Sequence, residues 1–294
     1  MKDNLSAYVY FAGWRLIRWL PESTAYRLAN FVADVLTKRN GKNVARLRSN
    51  LERTQPSITS LNLDLLVFEA MRSYMRYWCD TFRFPDWSKE KILETVTVTN
   101  EDLLLNAIKE KTGVIVCLPH AGNWDHAGAY FCAKGIKLVT VAERLKPEKL
   151  FLKFLEYRQN MGMEVLPLDG NVLPTLTQRL NDGALVALVS DRDLSRSGID
   201  VEFFNGPARM PAGPAILALT TKAPLVTAFV SYTESGIHVD FKQVVLPSAD
   251  TREEMVKEVV QISAQHFEDG IREHPEDWHM LQRIWIDGDF TERI

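Results

Sequence analysis

Cysteine is nearly absent: Cys79, Cys117 and Cys132 are the only three in 294 residues. They lie far apart, are odd in number, and form no Cys-x-x-Cys pair. A disulfide frame and a structural zinc site both lose support. Each sits in an apolar pattern and reads as a buried small hydrophobe in a reducing compartment. No uncharged apolar run approaches the roughly 18 residues that cross a bilayer. The N-terminus has no signal-peptide pattern, so a cytoplasmic protein is expected, though one free to touch a membrane. Positive charge is not in excess either. A formal charge of −3 argues against a nucleic-acid binder resting on phosphate contacts. Gly-x-Gly-x-x-Gly, Walker A, His-Glu-x-x-His and Gly-x-Ser-x-Gly are all missing. Dinucleotide redox chemistry, nucleotide hydrolysis, zincin chemistry and the usual serine-hydrolase elbow recede with them.

What is present is an ordinary globular composition, 46% apolar and 25% charged, long enough for a sizeable core. Residues 4–20 form an aromatic-rich helical pattern with Arg15 and Arg18 on one face, ended by Pro21. A second helix is expected over Thr24–Lys38, then a basic stretch from Lys38 to Arg53, then a helix from about Leu63 to Phe82. After Trp87 helices and apolar strands alternate. Strands are expected at Gly113–Leu118, Lys137–Ala142, Glu164–Leu168, Ala184–Ser190 and Pro224–Tyr232. An alternating edge strand follows at 236–245, and a final helix at Arg252–Glu273. This texture predicts an α/β fold: a mostly parallel central sheet flanked by helices on both faces, with an N-terminal helical segment. The expected organisation is one domain over 1–294, helical over 1–87 and α/β over 88–294.

The chemistry concentrates where strands end. Strand 113–118 runs into Leu118-Pro-His120-Ala-Gly-Asn-Trp-Asp125, which places His120 at the mouth of a buried strand with Asp125 in the first turn of a helix. His-x4-acid alone is weak, because about 0.8 matches are expected by chance at this composition. The residues by themselves fit a loop histidine beside an unrelated helix acid equally well. Strand 184–190 runs into Ser190-Asp-Arg-Asp-Leu-Ser-Arg196, so Asp191 is a second carboxylate able to face His120. Arg144 and Lys146, with Arg158 further on, border the same region and suit a phosphate-bearing ligand. So do Arg192 and Arg196. The stretch 203–214 reads as a stiff Gly/Pro-rich loop bearing Arg209, placed before a helix N-terminus that favours anions. Exposed ion pairs and a simple crossover connection explain these same charges as readily.

Taken together and in order, five blocks carry a resemblance. They are the His120 block, Val141-Ala-Glu-Arg-Leu-Lys-Pro-Glu148, the Asp191 block, Phe203-Phe-Asn-Gly-Pro-Ala-Arg-Met-Pro-Ala-Gly-Pro214, and Pro275-Glu-Asp-Trp-His-Met-Leu-Gln282. The chain resembles the lipid A biosynthesis acyltransferase superfamily over nearly its whole length. It is most similar to the actinobacterial branch that acylates phosphatidylinositol mannosides. The resemblance implies transfer of a long acyl chain, typically palmitoyl, from acyl-CoA as co-substrate, with no resident cofactor or metal. The implied acceptor hydroxyl is the 6-hydroxyl of the mannose on inositol position 2. It also implies His120 as general base, Asp125 as its motif partner and Arg158 as a site arginine. Asp191 stands where the family carries Glu, so either Asp125 or Asp191 is left to orient His120. Asn123 and the N–H groups around Gly122-Asn123 become candidates for substrate and oxyanion contact. The implied location is peripheral, on the inner leaflet at the cytoplasmic face of the membrane. Helix 4–20, with Tyr8, Tyr10, Trp14 and Trp19, either lies in the headgroup region or packs on the core. Competing functions are a thioesterase, an acyltransferase acting on another glycolipid, a non-catalytic lipid-binding protein, and a metal-dependent phosphoesterase using His120, Asp125, Asp191 and Asp193.

Overall fold

Alternate residues of one strand explain the architecture. Ile115 and Cys117 enter one hydrophobic cluster, whereas Val114, Val116 and Leu118 enter another. A strand buried on both faces in this way must be sandwiched by helices. The structure is a computed structural model that describes residues 12–144, 148–168, 172–193 and 195–287.

Residues 12–19 form helix α1, followed by α2 (Glu22–Arg39), α3 (Lys42–Thr54) and α4 (Ser60–Arg83). The basic stretch is therefore itself a helix. Val44, Leu47 and Leu51 of α3 recur at helical spacing and are buried, and its charges cover the outer face. Short α5 (Lys89–Glu94) leads to β1 (Val96–Thr99), then α6 (Asp102–Lys109), β2 (Val114–Leu118) and α7 (Trp124–Ala133). Next come β3 (Leu138–Ala142), α8 (Glu148–Asn160), β4 (Glu164–Pro167), α9 (Leu173–Asn181) and β5 (Leu185–Val189). The chain then forms β6 (Ile199–Phe203), β7 (Gly206–Met210), α10 (Gly213–Thr221), β8 (Leu225–Tyr232), β9 (Ile237–Gln243) and α11 (Arg252–Glu273).

Among the described residues the main sheet has seven strands in the order β1-β9-β8-β2-β5-β3-β4. All neighbours are parallel except β8 and β9. Two expectations change here. Strand 237–243 is not at the edge, because β1 lies outside it, pairing Val96 with Ile237 through Thr99 with Asp240. The Val-Thr-Val-Thr of β1 alternates, but four residues are too few to stand out in a sequence. The Gly/Pro-rich stretch is no loop. It is half of the β6–β7 hairpin, turned by Phe204 and Asn205, both at positive φ, the backbone that a two-residue type I′ turn needs.

The helical N-terminal part joins the sheet through α4, which buries Leu63, Leu66, Val67, Ala70 and Met71 toward one end and Tyr77 and Asp80 toward the other. Helix α1 has two faces. Trp14 is buried against Phe82, Phe154 and Tyr157, while Leu16 and Trp19 are exposed. Tyr8 and Tyr10 lie outside the described residues. No helix among the described residues is long and apolar enough to cross a membrane.

Candidate active site

His120 stands just past the carboxyl end of β2 and Asp191 just past that of β5, its parallel neighbour. The register pairs Leu118 with Val189, so the residues that follow emerge side by side. His120 Nδ1 lies 2.6 Å from Asp191 Oδ1, and the backbone N–H of His120 donates to Asp191 Oδ2 at 3.0 Å. Trp278 Nε1–H donates to that same Oδ2 at 3.1 Å. Asp191 is fully buried. Burial works against its charge, but the His120 ring and the surrounding N–H donors outweigh burial and hold the carboxyl below its usual range. An ionised Asp191 fixes the tautomer with hydrogen on Nδ1 and leaves the Nε2 lone pair for a substrate proton. The His120 side chain keeps 38% of its surface exposed, so a substrate can reach it.

Asp125 does not turn toward His120. Its carboxylate accepts from Arg158 Nε at 2.7 Å and Nη2 at 3.3 Å, and from the Tyr77 hydroxyl at 3.1 Å. The physical reason is helical geometry: Asp125 is inside α7, and its side chain leaves on a different face from the strand mouth. Burial alone would lower the basicity of Arg158; the adjacent Asp125 charge prevails and raises it. The structure thus resolves the choice of partner in favour of Asp191.

Gly122 shapes the loop between the two. It has φ +55°, and a Cβ there would fall 2.4 Å from Val230 O, so only glycine fits. Its N–H donates to Asp277 O at 2.8 Å, which removes it from the candidate oxyanion donors. Asn123 is fully buried and caps α7, its Oδ1 accepting from His126 N at 3.0 Å. It is a capping residue and not a substrate contact. Beside it Trp124 stacks on Tyr77 at 4.4 Å and meets the His120 ring edge-on at 5.6 Å.

Trp124 also lines a cavity on the α7 face of the sheet. Val116, Leu118, Ala187, Val189, Ala228 and Val230 form its apolar wall, and Asp125 and Arg158 border it. The cavity and the His120–Asp191 pair thus share one side chain. Such a site can take a proton from a hydroxyl next to a slot that suits an alkyl chain.

The remaining predicted residues scatter. Arg144 is exposed and pairs with Glu148 at 2.7 Å. Lys146 lies outside the described residues. Arg192 is half-buried beside Asp191, and Arg196 is exposed in the loop after it. Arg209 is taken up within the hairpin by Asp200 and by Ser195 O, because β7 pairs Arg209 with Asp200 across the ladder. It holds the hairpin and is not a free phosphate donor. Asp193 Oδ1 accepts from Ser195 N. With Asp125 held by Arg158, the four residues of the phosphoesterase reading do not converge on one ion position.

Sequence reasoning did not single out Trp278, Tyr77, Trp124 or His279. His279 donates its backbone N–H to His120 O at 2.7 Å, and its side chain contacts Ser73. Burial, then the proximity of His120, depresses its imidazole to about 3. Trp278 and His279 had a signal, since both belong to the fifth motif block. Tyr77 had none, being one more aromatic on the stripe of a core helix.

A histidine paired with a buried aspartate at a strand mouth, close to an apolar cavity in an α/β fold, is an arrangement able to take a proton from a hydroxyl beside an alkyl chain. The chain belongs to the bacterial lipid A biosynthesis acyltransferase family, whose model matches residues 2–286, and it is an acyltransferase. It is 39% identical over 280 residues to a phosphatidylinositol mannoside acyltransferase of Mycolicibacterium smegmatis, covering 94% of this chain and 90% of that protein. It is 36% identical over 284 residues to the protein of the same description in Mycobacterium tuberculosis, covering 95% and 88%.

Proposed function

We propose that this acyltransferase moves a long acyl chain, palmitoyl, from acyl-CoA to the 6-hydroxyl of the mannose on inositol position 2 of a phosphatidylinositol mannoside, with His120 as general base. The acceptor class rests on the descriptions of the two mycobacterial relatives. The chemistry rests on one observation: His120 Nδ1 is tied to a buried Asp191 beside a cavity lined by apolar side chains.

In this reading the acyl chain fills the cavity and the thioester carbonyl lies near Trp124. His120 Nε2 takes the sugar hydroxyl proton as the oxygen attacks the carbonyl carbon. Asp191 stabilises the imidazolium that forms. The oxyanion is met by the Trp124 and Asp125 N–H groups at the start of α7, since that of His126 is taken by the Asn123 cap. Collapse of the tetrahedral intermediate breaks the carbon–sulfur bond. The thiolate, whose thiol has a pKa of roughly 8.5, leaves with little acid assistance and takes up the proton held by His120, which returns to its neutral form. No resident cofactor and no covalent enzyme intermediate is needed. Arg144, Lys146, Arg192 and Arg196 are the cations assigned to the phosphates of CoA. Exposed Leu16 and Trp19, with Arg15, set α1 against the headgroups of the inner leaflet, while Arg18 is held by Asp86.

His120→Ala, assayed with palmitoyl-CoA and a phosphatidylinositol mannoside, is expected to abolish transfer. Near-normal turnover would overturn the base assignment. The thioesterase reading is separated by omitting the acceptor: a transferase consumes acyl-CoA mainly when the glycolipid is present.

A further inference from the structure

We propose that Asp80 is a positioning residue that sets the start of α7, and with it the catalytic loop, through the side chain of Asn123. This rests on the reading that His120 and the first turn of α7 carry the reaction.

Asp80 sits on α4 and is only 2% exposed. A carboxylate in such a place must find donors. Its Oδ1 accepts from the Tyr26 hydroxyl of α2 at 2.5 Å, and its Oδ2 from Asn123 Nδ2 at 3.4 Å. No salt bridge to Asp80 occurs among the described residues. The nearby cation, Arg76, is spent on Thr233 O, on Gly236 O and on the face of Tyr232 at 4.1 Å. Asp80 is thus a buried charge held by neutral donors, and Asn123 is one of them.

The amide of Asn123 has two ends with two tasks. Its Oδ1 caps α7 at His126 N, and its Nδ2 faces Asp80. An amide can serve both only in one orientation: were it turned over, an N–H2 would face the His126 N–H and an oxygen would face a carboxylate. Asp80 therefore selects the orientation that caps the helix. The next residue, Trp124, touches both the His120 ring and the apolar cavity. Asp125 follows, anchored by Arg158. A shift at Asn123 passes directly to these side chains. Helix α4, and α2 through Tyr26, are tied to the catalytic loop by this carboxylate.

An exchange of donor and acceptor tests this in the full-length enzyme at pH 8. Asn123→Asp keeps a good helix cap but sets a second carboxylate against Asp80. It is expected to lower kcat by about 10- to 100-fold, with KM for palmitoyl-CoA within about twofold of wild type. In the double variant Asp80→Asn/Asn123→Asp, the new amide donates to the new carboxylate. Recovery of kcat to within about threefold of wild type is expected. A double variant no better than Asn123→Asp, or an Asn123→Asp enzyme with unchanged kcat, would overturn the inference. Should Asn123→Asp fail to fold, Asp80→Leu removes the acceptor without adding charge. It is expected to show the same kcat loss at unchanged KM, and a kcat within twofold of wild type would be decisive against the role. His120→Ala run alongside keeps the two readings apart. If it retains turnover, the base assignment falls; if it is dead while Asp80→Leu is unimpaired, only the role of Asp80 falls.

Discussion

Trp278 holds Asp191 from behind: its indole N–H ends on the carboxylate oxygen that also receives the backbone N–H of His120, at 3.1 and 3.0 Å. The other oxygen is thereby left to the His120 ring. Trp278→Phe keeps an aromatic ring, though a smaller one than the indole, and deletes this donor to a buried charge; the space it opens adds to the cost. A loss of about 1.5–3 kcal/mol in stability is expected from urea unfolding at neutral pH, with a fall in kcat. The carboxyl is held below its ordinary range, so its stabilising share is complete above the unfolded value near 3.9 and fades as pH falls through the folded value. The difference between variant and wild type is expected to shrink as pH falls below the unfolded value and on through the lower folded one.

Ala187 lines the apolar cavity on β5, four residues before Asp191 and so about 13 Å along the strand. Ala187→Phe fills the space without reaching the His–Asp pair. Turnover of palmitoyl-CoA is expected to fall at least tenfold relative to that of a short-chain acyl-CoA, measured as a ratio of kcat/KM. An unchanged ratio would place the acyl chain elsewhere.

His126 and His279 are buried and held neutral, with imidazoles depressed by burial to about 4 and about 3. The unfolded chain binds protons at these positions from about pH 6.5 downward, where the folded protein does not. Stability therefore falls as pH drops below 6.5 and continues to fall until each folded value is reached, by roughly 3 kcal/mol for His126. His126→Met is expected to flatten the unfolding free energy between pH 6.5 and 4. An identical slope in variant and wild type would disprove it.

Trp19 is 82% exposed on α1, next to the half-exposed Leu16. Leu16→Glu/Trp19→Glu leaves the buried Trp14 in place. It is expected to change stability by less than about 0.5 kcal/mol per site, while co-sedimentation with anionic liposomes falls several-fold. Unchanged sedimentation would remove α1 from the membrane contact.

Local pattern and long-range contact were not equally legible. The long amphipathic and fully apolar segments could be read, since burial imposes a period on the chain. Helix α11 falls at Arg252–Glu273, as its period predicts, and the strands of the parallel core fall within a residue or two. Short or two-sided elements could not. β1 is four residues long, the β6–β7 hairpin was masked by its prolines and glycines, and α3 by its charge. His120 and Asp191 were both visible as polar residues at strand ends, but their pairing was only one of two alternatives left open, Asp125 being the other.

The chain's own pattern carried the fold class, the position of His120 at a strand mouth and the set of acids within range, because these follow from periodicity and from where apolar runs stop. Which acid serves His120 depends on the strand order and register that bring β2 beside β5. The fates of Asp125, Asn123 and Arg209 depend on partners 33, 43 and 9 residues away in sequence. Those side chains had several chemically equivalent uses in the sequence. Packing left one, since a buried charge or amide takes the partner that the folded backbone places within hydrogen-bond reach.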